Sequence, residues 1–522
     1  MTALAAAAAK VGGNTLLSRL LGFARDLVIA RLFGADVATD TFFVAFRLPN
    51  LMRRLFAEGA FSAALVPTLT AHREQHGEAG LRLLLQGLAG TLGALLLLLS
   101  ALGALAAPLL VLVFAPGFAD QAEARLLATD MLRLVMPYLI FVGLTALAGS
   151  VLNTYERFGV PAFTPALLNL VLIACALWLS PQLQQPVLAL AWGVLLGGVA
   201  QLAFQLPFLA RLGLLCRPRP APRDPQVRSI GRRLLPALFG ISVTQLGLLI
   251  DTLLASFLVS GSISWLYYSE RLVEFPLGIL GVALGTVILP RLSRRHATGL
   301  TADQSAGQAI EDADPAGRTL DWALRWVVLL GFPAAMGLAV LAEPILAILF
   351  QSAAFGAADV QMAGRSLAAY ALGLVGFMAI KVLVPVLYAR HDLKTPVRLG
   401  VVALVLNLGL SLVLMGPLGH VGLALATAIA TTVNAALLLG VLVRRRLYRP
   451  QGGWVRLLLQ GVMATLIMGL AIGLGSGPAA DWMAPGEAAG VGRLVLLIGG
   501  GVLVYGASLL VLGLRPRQLM QS

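Results

Sequence analysis

The chain has 522 residues, 59% of them hydrophobic and only 12% charged, with a formal net charge of +14. Soluble domains carry about 25% charged residues, so a soluble globular fold is excluded and an all-α polytopic membrane protein is expected. The two cysteines, Cys175 and Cys216, give neither a disulfide framework nor a metal-binding spacing.

A spanning helix needs about 20 apolar residues. Fourteen such stretches are predicted, centred near residues 22, 55, 98, 142, 171, 199, 243, 279, 335, 375, 406, 432, 464 and 500. The first two are unusual, because residues 8–70 carry Arg19, Arg25, Asp26, Asp40, Arg53, Arg54 and Glu58. A charge at the centre of a bilayer costs about 2.5–3.5 kcal/mol by insertion scales. The N-terminal apolar stretch runs into this charged span, which reads as a retained helix rather than a cleaved signal.

In span 1, Arg19 and Arg25 lie six residues apart, about 120° off a shared face on an ideal helix. A bend at Gly22, cheap for glycine, would turn both inward. In span 2, Asp40 and Arg54 are fourteen residues apart and share a face, and Pro49 predicts a kink. Span 5 is short. Span 7 carries Asp251. In span 8, Arg271 and Glu274 stand at i,i+3, and Glu270 and Glu274 at i,i+4, spacings that meet on one helix surface. Lys381 sits mid-span in GFMAIKVLVP, and span 11 carries Asn407 and Ser411 at i,i+4.

Loop charge orients the chain. Loops after even-numbered spans hold nearly all the loop arginines, and those after odd-numbered spans hold only Arg125. Both termini are therefore expected on the cytoplasmic side, and the arginines read as topology signals rather than a nucleic-acid surface. The Arg- and Pro-rich 210–233 segment reads as an extended linker between lobes. The 297–318 loop holds Asp303, Glu311, Asp312 and Asp314 and suggests no function.

Short matches repeat in order along the chain. Tyr155 and Tyr388 are 233 residues apart, Thr164 and Thr395 are 231 apart, and ALVPTL and VILPRL are 223 apart. Each Tyr-x-Arg is followed by a Thr-Pro pair and then by an asparagine in the next helix, Asn169 or Asn407. Two parallel six-span repeats follow, 1–215 and 216–450, with 451–522 supplying two added spans. Such repeats suggest a cavity between lobes and alternating access.

None of Lys10, Lys381 and Lys394 follows a glycine, so a Walker A loop is excluded and ATP does not bind by that route. The five histidines are scattered in or near loops, and no catalytic triad or carboxylate pair is arguable. No cofactor is expected apart from a monovalent cation. Two readings of the membrane charges stay open. One is a set of inter-lobe salt bridges and snorkelling side chains, favoured for Arg31, Arg47, Arg133, Arg325 and Arg365. The other is an anion-binding cavity, favoured for Arg19, Arg25, Arg53, Arg271 and Lys381, with Asp40 and Glu274 as supporting charges that orient the arginines or pair with them when the site is empty. Guanidinium groups grip phosphate in a bidentate way, and lysine acts as a point charge. Asp251, Asn407 and Ser411 are likewise either Na⁺ ligands or packing hydrogen bonds.

The segments SRLLGFARD, ATDTFFVAFRLPNLMRRLFAEGAFSAALVP, YYSERLVEFPLGILGVALGTVILP and YARHDLKTPV closely resemble the MurJ (MviN) family of lipid II flippases. That family sits within the multidrug/oligosaccharidyl-lipid/polysaccharide exporter superfamily. The resemblance covers essentially the whole chain. It implies movement of lipid-linked peptidoglycan precursor from the cytoplasmic to the periplasmic leaflet of the bacterial inner membrane. The family's cavity arginines fall on Arg19, Arg25, Arg53 and Arg271, with Asp40, Glu274 and Lys381 at further charged positions. The headgroup is expected in the cavity and the polyprenyl tail along the two added spans. Some members hold Na⁺ between spans 7, 11 and 12 with two carboxylates; here only Asp251 is a carboxylate and Ser411 takes the second position. Other readings are a flippase for a different polyprenyl-pyrophosphate glycan, a cation-coupled drug exporter and a membrane glycosyltransferase.

Overall fold

The computed structural model describes residues 2–57, 60–278, 315–390, 392–483 and 487–514, and these are helices joined by turns and short loops. Glu58 and most of the acidic 297–318 loop fall outside them. The chain divides into two compact units, residues 1–264 with 352–355, and residues 265–351 with 356–522.

The first unit contains α1 (Thr2–Phe33), α2 (Val37–Ala57), α3 (Ala60–Leu105), α4 (Ala107–Phe114), α5 (Ala122–Val135), α6 (Tyr138–Thr154), α7 (Gly159–Ala174), α8 (Leu188–Arg211) and α9 (Pro225–Ala255). Within it α1 packs on α7, α2 on α5 and α6, α3 on α6 and α9, and α8 on α6 and α7. Apolar residues at helical spacing build its core: Leu65, Leu69, Leu81, Leu84 and Leu88 of α3 meet Leu147, Val151 and Leu152 of α6. Long α3 is two helical segments meeting at Gly77, whose φ of 68° and ψ of −171° break the helix. A positive φ is readily available to glycine.

Span 5, expected to be short, is not: α7 ends at Ala174 in α geometry, but a π-turn over Cys175–Leu179 and a 3₁₀ turn over Ser180–Gln182 carry it on. The continuous stretch Gly159–Gln182 has 24 residues, enough to cross a membrane. Pro137 separates α5 from α6. The Arg- and Pro-rich linker is docked: Arg219 N–H donates to Gln86 O at 3.0 Å and Ala221 N–H to Thr91 Oγ1 at 2.9 Å, both on α3. Asp224 then caps α9, accepting from Gln226 N at 2.8 Å and Val227 N at 3.3 Å, with Pro225 at the first helical position.

Helix α10 occupies 262–278 of the described residues, and the second unit takes it up at Trp265. The unit continues with α11 (Pro315–Val340), α12 (Ala342–Phe350), α13 (Ala357–Ala371), α14 (Leu374–Tyr388), α15 (Lys394–Leu418), α16 (His420–Arg444), α17 (Trp454–Ser476) and α18 (Glu487–Val511). Here α16 packs on α13, α14 and α15, and α11 packs on α13, α14 and α17, with α18 against α17. Among the described residues nine helices are long and apolar enough to cross a membrane, or ten when the bent pair α13–α14 counts as one span. The charged α1 and α2 are not among the nine. Leu474, Leu503 and Val511 of α17 and α18 stand exposed, an apolar exterior suited to hydrocarbon.

Candidate functional site

The charged positions of the first unit lie on α1 and α2. Helix α1 runs unbroken through Gly22, so the bend expected there does not occur. The glycine faces α7 instead: a Cβ at Gly22 would stand 3.4 Å from Asn169 Nδ2, an ordinary van der Waals contact. Without a bend the two arginines diverge. Arg19 is exposed, while Arg25 is 7% exposed and turned into the helix packing.

Arg25 donates from Nε at 2.9 Å and Nη2 at 2.6 Å to Asp26 Oδ1, and from Nη1 at 3.0 Å to Asn169 Oδ1. Asp26 is almost fully buried. Sequence spacing gave Asp26 no role, because neighbours at i,i+1 do not face each other on a helix. The long arginine side chain folds back and overcomes that geometry.

On α2, which continues through Pro49, Asn50 holds Arg53. Its Oδ1 accepts from Nε at 3.1 Å and Nη2 at 3.0 Å. Arg47 Nε is buried with no hydrogen-bond partner among the described residues. A buried cationic N–H lacking an acceptor is costly, and a ligand oxygen would satisfy it. Sequence places Arg47 with the packing charges, because its position on α2 carries no other signal.

Asp40, 3% exposed in the first turn of α2, binds the start of α10. Its Oδ1 accepts from Ser264 N at 2.8 Å and Ser264 Oγ at 2.6 Å, and its Oδ2 accepts from Gly261 N at 2.7 Å. The first N–H groups of a helix lack internal acceptors and carry partial positive charge. Asp40 is therefore an N-terminal cap supplied from another helix. Arg54, on the same face, stands fourteen residues away, about 21 Å along the axis.

In the second unit the predicted i,i+3 pair forms. Arg271 Nη1 donates to Glu274 Oε2 at 2.6 Å and Nη2 to the Tyr267 hydroxyl at 3.2 Å, with the guanidinium 5.1 Å from the Tyr267 ring centre. Both charged side chains keep solvent access, at 23% and 43%. Lys381 is exposed on α14. Asn407 and Ser411 are buried one turn apart on α15. Asn407 Oδ1 accepts from Thr427 Oγ1 at 3.2 Å, and Ser411 Oγ has no protein partner among the described residues. Asp251 of α9, in the first unit, is buried as well.

The second unit also holds a polar centre that spacing could not reveal. Asp321 of α11 is fully buried. Its Oδ1 accepts from Tyr448 OH at 2.6 Å, Trp454 Nε1 at 2.7 Å and Gln451 N at 3.2 Å, and its Oδ2 from Arg325 Nε at 2.6 Å. Arg325 pairs with Asp321 one turn earlier on the same helix, not with another lobe. The cluster fastens the loop before α17, and α17 itself, onto α11. Leu329, Leu457 and Leu514 pack in an apolar cluster with Trp454 beside it.

Helices of this length and apolarity, with buried arginines held by carboxylates and amides, define a polytopic membrane protein. The fold is shared with a solved inward-facing multidrug resistance MATE family transporter, which superposes with a TM-score of 0.60 at 15% identity, covering 82% of this chain and 94% of that one. The chain belongs to the lipid II flippase MurJ family, whose pattern matches residues 29–486. A Haemophilus influenzae relative described as a probable lipid II flippase MurJ is 44% identical over 513 residues, covering 97% of this chain and 99% of its own length. A solved lipid II flippase MurJ in an inward closed conformation matches with a TM-score of 0.78 at 25% identity, covering 95% of this chain and 97% of that one.

Proposed function

We propose that this chain is a lipid II flippase of the bacterial inner membrane. It carries the polyprenyl-pyrophosphate-linked peptidoglycan precursor from the cytoplasmic to the periplasmic leaflet by alternating access, with both termini cytoplasmic. The observation that carries this reading is membership of the family over nearly the whole chain, at 44% identity to a relative of that description. No covalent step is part of the mechanism, and ATP is not its energy source.

The pyrophosphate and headgroup are assigned to Arg19, Arg25, Arg53, Arg271 and Lys381, with Arg47 added because its Nε has no acceptor among the described residues. The geometry within each unit supports a role in holding an anion. Arg53 is steadied by a neutral amide, and Arg271 by a carboxylate that keeps solvent access. Glu274 is the group a phosphate would displace at Arg271, since both are anionic acceptors for the same N–H. Asp40 is assigned to capping α10 rather than to orienting an arginine. A monovalent cation is a further proposal, resting on the oxygens of Asn407, Ser411 and Asp251; transport measured with Na⁺ replaced by K⁺ tests it.

Expression in a strain depleted of its own lipid II flippase tests the main reading. Rescue of growth, with lipid II reaching the periplasmic leaflet, is the expected result. Continued lysis despite membrane insertion would instead favour a flippase for another polyprenyl-pyrophosphate glycan, for which the same arginines would serve.

A further inference from the structure

We propose that Asn169 is a positioning residue for substrate binding: it fixes the guanidinium of Arg25 across the α1–α7 contact. This rests on the reading of Arg25 as a pyrophosphate ligand, and it gives a task to a motif residue that the proposed function leaves unused.

Asn169 is 7% exposed in the middle of a span, where each unmet polar group would be costly. Both ends of its amide are used. Oδ1 accepts from Arg25 Nη1 at 3.0 Å, and Nδ2 donates to the Ser18 carbonyl at 3.2 Å. These partners fix the amide's orientation. A guanidinium only donates and a carbonyl only accepts, so the flipped amide would face donor to donor and acceptor to acceptor. Ser18, Gly22 and Arg25 follow one another at i, i+4 and i+7, a single stripe of α1. The amide therefore reads backbone and side chain of the same stripe, beside Gly22.

Asp26 holds the Nε and Nη2 edge of Arg25, and Asn169 holds Nη1. Two fixed edges set the plane of the guanidinium, and a bidentate grip on phosphate depends on that plane. The motif copy in the second unit has another partner: Asn407 accepts from Thr427.

A double-mutant cycle tests the proposal. Equilibrium binding of purified lipid II would be measured in detergent micelles for wild type, Arg25→Ala, Asn169→Leu and the double variant, alongside the melting temperature of each. Loss of one charge-assisted hydrogen bond corresponds to roughly a tenfold weakening. Asn169→Leu should weaken binding about that much, and in the Arg25→Ala background it should weaken binding no further. Asn169→Asp, which keeps the acceptor for Arg25, should bind more tightly than Asn169→Leu and covers the case in which leucine prevents folding. Equal losses for Asp and Leu, full multiplicative losses in the double variant, or wild-type binding by Asn169→Leu would each overturn the positioning role. Wild-type binding by Arg25→Ala would instead overturn the reading of Arg25 beneath it.

Discussion

Replacement of Asp321 by asparagine isolates the charge at the base of α17 while keeping side-chain volume. Three donors converge on Oδ1, from Tyr448, Trp454 and Gln451, and Arg325 donates to Oδ2. Burial, and then the Asp321 carboxylate, push the Tyr448 phenol up, so it remains a donor through the working pH range. In Asp321→Asn the amide oxygen can keep the three donors, but its NH₂ then faces Arg325 Nε–H. The charge-assisted bond is lost, at about 1.5–3 kcal/mol. Arg325 is 14% exposed, also donates to Gly452 O and lies 5.5 Å from the Trp454 ring centre, which limits the further penalty. A net loss of about 2–4 kcal/mol is expected, short of or overlapping the 3–5 kcal/mol for fully breaking a buried pair. Tyr448→Phe removes one bond of the three and should cost about 1 kcal/mol. Denaturant unfolding in mixed micelles, followed by tryptophan emission, gives the ranking. Asp321→Asn within about 0.5 kcal/mol of wild type, the range of ordinary surface changes, would refute the assignment of this cluster as the anchor of α17.

Two further outcomes follow from loop geometry. Asp392 accepts from Thr395 Oγ1 at 2.6 Å, Thr395 N at 3.0 Å and Arg445 Nη1 at 2.6 Å, and these bonds hold its carboxyl below the usual range. A depressed folded value gives stability that is complete above the unfolded value of about 3.9 and is lost as pH falls toward the folded one. The melting-temperature gap between wild type and Asp392→Asn should therefore be constant near neutrality and shrink below about pH 4; a gap that widens on acidification would contradict the assignment. At Gly90 an added Cβ would stand 2.2 Å from Arg219 C and 2.4 Å from Pro220 N. Gly90→Val should lift the linker from α3 and speed tryptic cleavage after Arg223, the arginine of this stretch that no proline follows, while unchanged cleavage would show that the linker is not held there.

The sequence showed the membrane class, the charged first helices and the Arg271–Glu274 pair, because each depends on local composition or on helical spacing. Gly22 illustrates the limit. Its permissiveness suggested a bend, but glycine is also tolerated inside an unbroken helix, and α1 runs on through it. Asp40 was legible as a charge but not as a cap, since Gly261 and Ser264 lie more than 220 residues away in sequence. The Asp321 cluster was invisible for the same reason: three of its four donors come from residues 448–454. Span 5 looked short because Ser180, Pro181 and Gln182 end its apolar run, although the helical stretch continues to Gln182. Asp26 was missed because pattern reasoning assigns neighbouring residues to different faces and ignores the reach of arginine.

The central claim is that arginines on these helices bind the anionic headgroup of a flipped lipid. Complementation of a flippase-depleted strain by Arg25→Ala and Arg271→Ala tests it most directly, with membrane insertion of each variant verified by immunoblot. The account predicts that the wild-type chain restores growth and that both variants insert but fail to do so. Full rescue by both variants would contradict it.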